Sequence, residues 1–169
     1  AVDAVQDARL ATLTVERINV VEPDGTLRMV ISGKGTFPGA FEQGREIPRA
    51  DRNTLAGMLF LDDEANEIGG LIYSGSEGKD GIQSGLSLTF DRYKQDQVVQ
   101  LSSSEGEGVA RGGLMILDRP SASFATVYEQ MRLIDEARAL PREKRGAFVE
   151  ANPKLQNFGQ QRAYLGTDP

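Results

Sequence analysis

A strand–turn–strand unit repeats along the chain and limits what it can fold into. In each unit an apolar strand ends in an acidic residue, a polar turn follows, and a second apolar strand ends in serine. The units cover residues 18–32, 58–74 and 86–102, and a fourth opens at residue 113. Their spacing is too irregular for a solenoid. The pattern therefore predicts repeated antiparallel hairpins that form a meander or a barrel-like sheet.

The turn between the first two strands carries the clearest local signal. Pro23-Asp24-Gly25 separates two runs in which apolar and polar residues alternate. Such a turn between β-rich runs is typical of a hairpin, and it predicts strands over 14–22 and 26–32. An acid ends the first strand of every unit, at Glu22, Asp62, Asp91 and Asp118, respectively. Between the units, the Gly-rich segments 75–85 and 103–113 are expected to be mobile connections.

A helical pattern begins after Pro120. Apolar residues recur there at helical spacing, and Pro141 can end one helix and start the next. The stripe consists of Phe124, Val127, Met131, Ile134 and Ala137. We expect helices over about 121–140 and 142–151, with Ser121 or Ser123 as the first cap. The final residues, QQRAYLGTDP, are expected to enter one more strand that has no partner strand.

These patterns predict a mainly β fold with a C-terminal helical segment (β+α). We expect an N-terminal arm or linker over 1–13, followed by a single β-rich domain over 14–169 that contains a helical insertion over 121–158.

Composition excludes several classes of function. The 169 residues include 25 acidic and 19 basic side chains, a net charge of −6, and no Cys or His. Without these two residue types there is no thiolate nucleophile, no Ser-His-Asp triad and no common zinc site. An acidic chain with scattered Lys and Arg does not suit nucleic acid. We expect no enzymatic activity, no catalytic residue, no cofactor and no metal site.

Three local motifs invite a chemical interpretation. The acids Asp62, Asp63, Glu64 and Glu67 could bind calcium, but their spacing is not that of a calcium-binding loop, and a solvated hairpin tip is expected. Lys79 in GSEGKDG lacks the context of a phosphate-binding loop, so a flexible linker is expected there. Asp91 is a strand-end acid of the kind that a carboxylate-dependent hydrolase uses, but a turn-capping role is expected.

Phe37, Pro38 and Phe41 form an apolar group in the long connection over 33–55. They could contact a partner protein, or they could fold back and plug the sheet. Both alternatives stay open, and these three residues are the candidate partner contact.

Several segments together resemble a bacterial family of membrane-tethered or exported β-hairpin-repeat proteins of unknown function. They are VERINVVEPDGTLRMVIS, the Phe37-Pro38-Gly39 turn, AGMLF, GGLIY and GLSLTFDRYKQDQVVQL, which cover most of residues 14–118. The resemblance implies a membrane segment upstream of this chain and a periplasmic or otherwise extracytoplasmic domain. It also implies further hairpins after the YLG strand, so we expect the fold to continue past Pro169. It implies no activity.

The leading hypothesis is a non-enzymatic β-domain, membrane-tethered or exported, that acts as an accessory or scaffold subunit. Its partners would be proteins, in a membrane complex or a homo-oligomer. The first alternative is a β-barrel that binds a small molecule or lipid in a cavity lined by residues such as Leu59, Leu61, Leu88 and Phe90. The second alternative is a hydrolase that uses a carboxylate pair.

Overall fold

Four hairpins, joined edge to edge, build one antiparallel sheet of eight strands. The computed structural model describes residues 8–79, 81–121, 124–156 and 159–167, and only the backbone of residues 124, 125 and 156. The strands are β1 (Arg17–Val21), β2 (Leu27–Ser32), β3 (Ala40–Glu42), β4 (Arg45–Ile47), β5 (Ala56–Leu61), β6 (Glu67–Gly78), β7 (Gly81–Asp91), β8 (Gln97–Gly106), β9 (Val109–Asp118) and β10 (Gln160–Gly166). The helices are α1 (Phe124–Ala139) and α2 (Arg142–Ala151), with short 3-10 turns at Ala50–Arg52 and Pro153–Gln156.

The large sheet runs in the order β1-β2-β5-β6-β7-β8-β9-β10, with every neighbouring pair antiparallel, and β3 and β4 form a separate two-stranded sheet. The predicted fold class, mainly β with C-terminal helices, is confirmed. Of the two predicted sheet forms, the meander is the one observed. Within the described residues the sheet is open, with β1 and β10 at its edges, and it does not close into a barrel.

The repeat seen in the sequence is a repeat of turn geometry. The amide of Glu22 donates to the carbonyl of Thr26 at 2.9 Å, that of Asp62 to Asn66 at 2.9 Å, and that of Arg92 to Asp96 at 3.2 Å. In each of these three hairpins the register shifts at the start of the second strand, and a bulge of this kind bends the strand that carries it.

Strands β6 to β9 are longer than the sequence pattern indicates. The Gly- and Ser-rich segments 75–85 and 103–113 continue the strands, so the expectation of mobile connections there is wrong. β8 and β9 meet at Glu107 and Gly108, which have φ of 52° and 75°, as a tight hairpin turn requires. Lys79 lies in the corresponding turn between β6 and β7, and Asp80 is outside the described residues.

The helical segment interrupts the fourth hairpin. β10 pairs antiparallel with β9, with Leu165 opposite Leu114, so the expectation that the last strand lacks a partner is wrong. Helix α2 has the predicted bounds, and α1 starts and ends close to its predicted limits. Of the two candidate caps, Ser121 precedes the helix and Ser123 lies outside the described residues.

The core lies on one side of the sheet, beneath the β3–β4 hairpin and its flanking loop. Val30 and Leu59 point from the sheet into this core and meet Phe37 and Phe41 from the hairpin region. The buried side chain of Asn66 ties the two layers together, because its Oδ1 accepts a hydrogen bond from the Gln43 amide at 2.9 Å. The described part of the arm, residues 8–13, is exposed and lies outside the sheet.

Candidate functional site

The sheet has two faces of very different character. We call the face beneath the hairpin and α1, which carries Val30 and Leu59, the covered face. The opposite face is the open face. Two cross-strand rows of apolar residues run over the open face, one residue from each of the eight strands. The first row is Ile18, Ile31, Met58, Leu71, Leu88, Leu101, Leu114 and Leu165. The second row is Val20, Met29, Phe60, Gly69, Phe90, Val99, Ile116 and Ala163.

Much of the open face is exposed. Phe90 and Leu101 are each 52% accessible, and Leu165 is 77% accessible. Only at one corner does another described segment approach, where the arm beside Leu13 and Val15 forms a groove of about 450 Å³ with Ile31 and Tyr73. Isolated exposed apolar residues are normal, whereas large contiguous apolar patches are typical of interaction surfaces.

The polar and apolar sides of β7 and β8 are arranged in the opposite sense to an ordinary one-sided sheet. Ser87, Thr89, Gln100 and Ser102 lie on the covered face, whereas their neighbours on the open face are apolar. An antiparallel sheet with one solvated face normally turns its polar residues to water and its apolar residues to the core. Over β7 and β8 this alternation is reversed, so the exposed face is the apolar one.

The barrel alternative placed Leu59, Leu61, Leu88 and Phe90 together around one cavity. Leu59 and Leu61 are buried on the covered face, but Leu88 and Phe90 lie on the open face. These four residues therefore do not line a common cavity. The open face was not predicted, although the alternation of Leu86, Leu88 and Phe90 with Ser87 and Thr89 is visible in the sequence.

A second feature is a small polar cavity of about 70 Å³ between the covered face, the hairpin region and α1. Asp91 and Glu67 come from the sheet, Arg52 from the short 3-10 turn, and Tyr128 from α1. Glu67 pairs with Arg52, with Nη2 to Oε1 at 2.7 Å. Oδ1 of Asp91 is buried and has no hydrogen-bond partner among the described residues.

The electrostatics of this cavity disfavour a charge on Asp91. Burial, with a smaller contribution from the nearby carboxylates of Glu67 and Asp96, raises the pKa of the Asp91 carboxyl to about 7, against the opposing effect of Arg52 and Arg119. Burial also raises the pKa of the Tyr128 hydroxyl. The expected turn-capping role of Asp91 is not observed, because the turn begins one residue later at Arg92.

The acids of the second hairpin each have a structural partner. Asp62 Oδ1 accepts from the amides of Glu64 and Asn66, at 2.9 Å each. Asp63 pairs with Arg28, and Glu64 with Lys94. This agrees with the expected hairpin tip, except that Glu67 is buried. Within the described ranges, no group of three or more acids is placed to hold a metal ion.

The candidate contact residues Phe37, Pro38 and Phe41 are inside the protein. Phe37 is 9% accessible, Phe41 is 4% accessible, and Pro38 is fully buried. They plug the covered side of the sheet, which is the second of the two alternatives that the sequence left open. Their placement therefore gives no support to a partner contact through an exposed tip.

A wider groove of about 820 Å³ separates the loop over 48–51 from α1. Its charged side chains pair with one another, as in Arg49 with Asp51 and Arg132 with Glu136. The groove therefore presents no net excess of one charge that would select an ionic ligand.

Comparison of the chain with known protein families, curated proteins and solved structures finds no match. Among the described helices, none is long and apolar enough to cross a membrane.

Proposed function

We propose that this chain is a non-enzymatic β-domain that acts as an accessory or scaffold subunit, and that the open face is its assembly surface. One observation carries the proposal: two apolar rows cross all eight strands, while the sheet turns polar side chains to its other face over β7 and β8. Burial of such a face against another protein removes a large apolar area from water, which is the main driving force for association.

The small cavity supports an architectural role for the Asp91 region. A volume of about 70 Å³ holds water molecules but is well below the roughly 300 Å³ of small-molecule pockets. A hydrolase would need room for a substrate beside Asp91 and Glu67, so we favour assembly over a carboxylate-dependent hydrolase.

A tether and an extracytoplasmic location are part of the proposal, and the resemblance described above is what supports them. Fractionation of the source cells tests this part: the protein should be recovered with membranes and be accessible to protease from outside the cytoplasm. Recovery in the cytoplasmic fraction would contradict it.

The assembly role is tested by photo-crosslinking in the source cells. p-Benzoylphenylalanine in place of Phe90 reports on the open face, and the same probe in place of Tyr93 serves as a control in an exposed turn. We expect the probe at 90 to give a discrete adduct with a polypeptide, either this chain or another, and the probe at 93 to give none. Lipid adducts alone, or no adduct, would contradict the proposal.

A further inference from the structure

We propose that a second copy of this chain covers the open face, with the two sheets packed face to face in a two-fold symmetric dimer. This rests on the proposed function, in which the open face is an assembly surface. The area, the shape and the charge of that face each support a second copy as the partner.

The area of the open face reaches the lower end of what a specific dimer interface buries. Eight strands about 4.8 Å apart span about 38 Å, and two rows of residues cover about 13 Å along the strands. The flat area of the two rows is therefore about 500 Å² per copy, without the extra surface of protruding side chains. Ala56, Tyr73 and Leu86 extend the patch along a third row. Two copies then bury on the order of 1,000–1,200 Å², which reaches the range of specific protein interfaces.

The shape favours another sheet over a single helix. A helix is about 10–12 Å wide, so one laid along the strands covers about two of the eight. Sheets also twist, and a second sheet of the same hand can follow that twist when the two pack about 10 Å apart. A copy of this chain supplies a sheet with the same extent and the same twist.

The chemistry of the face allows contact with itself. The two rows contain no charged side chain, so a two-fold axis brings no like charges together within them. The net charge of −6 per copy opposes approach at long range, but salt screens that repulsion. An apolar interface between two acidic chains should therefore strengthen as the salt concentration rises.

The test uses the full chain and two single variants on β8. Leu101→Lys places a charge in the first row of the open face. Ser104→Lys places the same charge at an exposed position on the opposite side of the same strand. Leu101 is already 52% accessible, so both variants should fold, which circular dichroism and thermal melting check directly.

Light scattering coupled to size exclusion, from about 1 to 200 μM, should show a dimer for the wild-type chain and for Ser104→Lys. Leu101→Lys should weaken the dimer by at least about a hundredfold, because the symmetric interface carries the buried charge twice. In the purified protein, the photo-crosslinker at position 90 should join two copies through open-face residues. A dimer that Leu101→Lys leaves unchanged would show that another surface is used and would overturn the inference.

A wild-type chain that stays monomeric at 200 μM would also overturn it. The in-cell adduct then separates the two proposals. An adduct with a different polypeptide keeps the assembly function and excludes the second copy. Flotation with vesicles of three parts phosphatidylethanolamine to one part phosphatidylglycerol provides the other comparison. The wild-type chain could bind these vesicles while Leu101→Lys does not. That result, together with lipid adducts in cells, would overturn both the assembly function and the dimer.

Discussion

Arg52 holds Glu67 through two parallel hydrogen bonds, with Nη2 to Oε1 at 2.7 Å and Nη1 to Oε2 at 3.0 Å. The same guanidinium donates to the carbonyl of Gly39 at 2.8 Å, so it links the short 3-10 turn to the hairpin region and to β6. Both side chains are nearly buried, at 14% and 11% accessibility. This pair fixes the layer that covers one face of the sheet.

Arg52→Ala should therefore lower the free energy of unfolding by about 3–5 kcal/mol, because it leaves the Glu67 carboxylate buried without its partner. Arg132→Ala is the matched control. Its ion pair with Glu136 is exposed, and surface pairs contribute less than about 1 kcal/mol. Urea denaturation followed by circular dichroism measures both changes.

The double variant Arg52→Ala/Glu67→Gln should recover part of the loss, because it removes the unpaired charge. Equal effects of Arg52→Ala and Arg132→Ala would show that the buried pair does not hold the two layers together.

Asp91→Asn should stabilise the protein at neutral pH, and the gain should depend on pH. The folded-state pKa of Asp91 is about 7, above the value near 3.9 of an unfolded Asp. Between about pH 4 and pH 7 the Asp91 carboxyl is ionised in the unfolded chain but stays protonated in the folded chain. The wild-type chain therefore loses stability as the pH rises through this interval. The variant's advantage should grow over that interval, by up to about 4 kcal/mol.

The measurement is urea unfolding of Asp91→Asn and of the wild-type chain from pH 4 to pH 8. Asp63→Asn is the control, because the Asp63 side chain is 95% accessible. We expect its difference from wild type to vary by less than about 1 kcal/mol over this range. A constant difference between Asp91→Asn and wild type across all pH values would contradict the assignment.

The hairpins and helices could be predicted because their signals are local. Pro23-Asp24-Gly25 marks a turn within five residues, and the spacing of Val127, Met131 and Ile134 shows a helical face. The long strands through the Gly- and Ser-rich segments could not be predicted this way, because neither residue type favours a strand by itself. Those segments are strands because their neighbours in the sheet pair with them.

The burial of Asp91 was missed for a different reason. The sequence suggests that Asp91 corresponds to Asp62, but the turn hydrogen bonds show that Arg92 corresponds to Asp62. Asp91 therefore corresponds to Leu61, which is buried on the covered face. Alignment of the hairpins on turn length, instead of on the strand-end acids, would have revealed this shift of one residue.

Phe41→Ala should destabilise the chain by about 3–5 kcal/mol, because Phe41 is 4% accessible and packs in the core. Tyr93→Ala is a matched aromatic truncation at an exposed turn, where the hydroxyl donates to Glu64 and Lys94 Nζ lies 5.1 Å from the ring centroid. We expect it to change the free energy of unfolding by less than about 1 kcal/mol. Thermal melting and urea denaturation measure both variants. A small effect of Phe41→Ala would reopen the role of this residue as a surface contact.

Gly69→Ala tests how the open face is built. Gly69 has φ of +140°, and a Cβ added there would lie 2.3 Å from the carbonyl oxygen of Thr89 on the neighbouring strand. Both the backbone strain and the clash oppose a side chain, so the variant should lose at least about 2 kcal/mol of stability.

Gly75→Ala is the control for that prediction, on the same strand and the same face. Its Cβ would meet Ser84 Cβ at 3.4 Å, an ordinary contact, and the backbone there has no positive φ. We expect a change within about 1 kcal/mol, in either direction, because Ala loses less conformational freedom on folding than Gly does. Similar losses at both positions would contradict this prediction, because the positive φ and the backbone clash are present at Gly69 and not at Gly75. A loss of stability at Gly69 alone would show that glycine is required where β6 and β7 approach closely. This position lies between Phe60 and Phe90 in the second row.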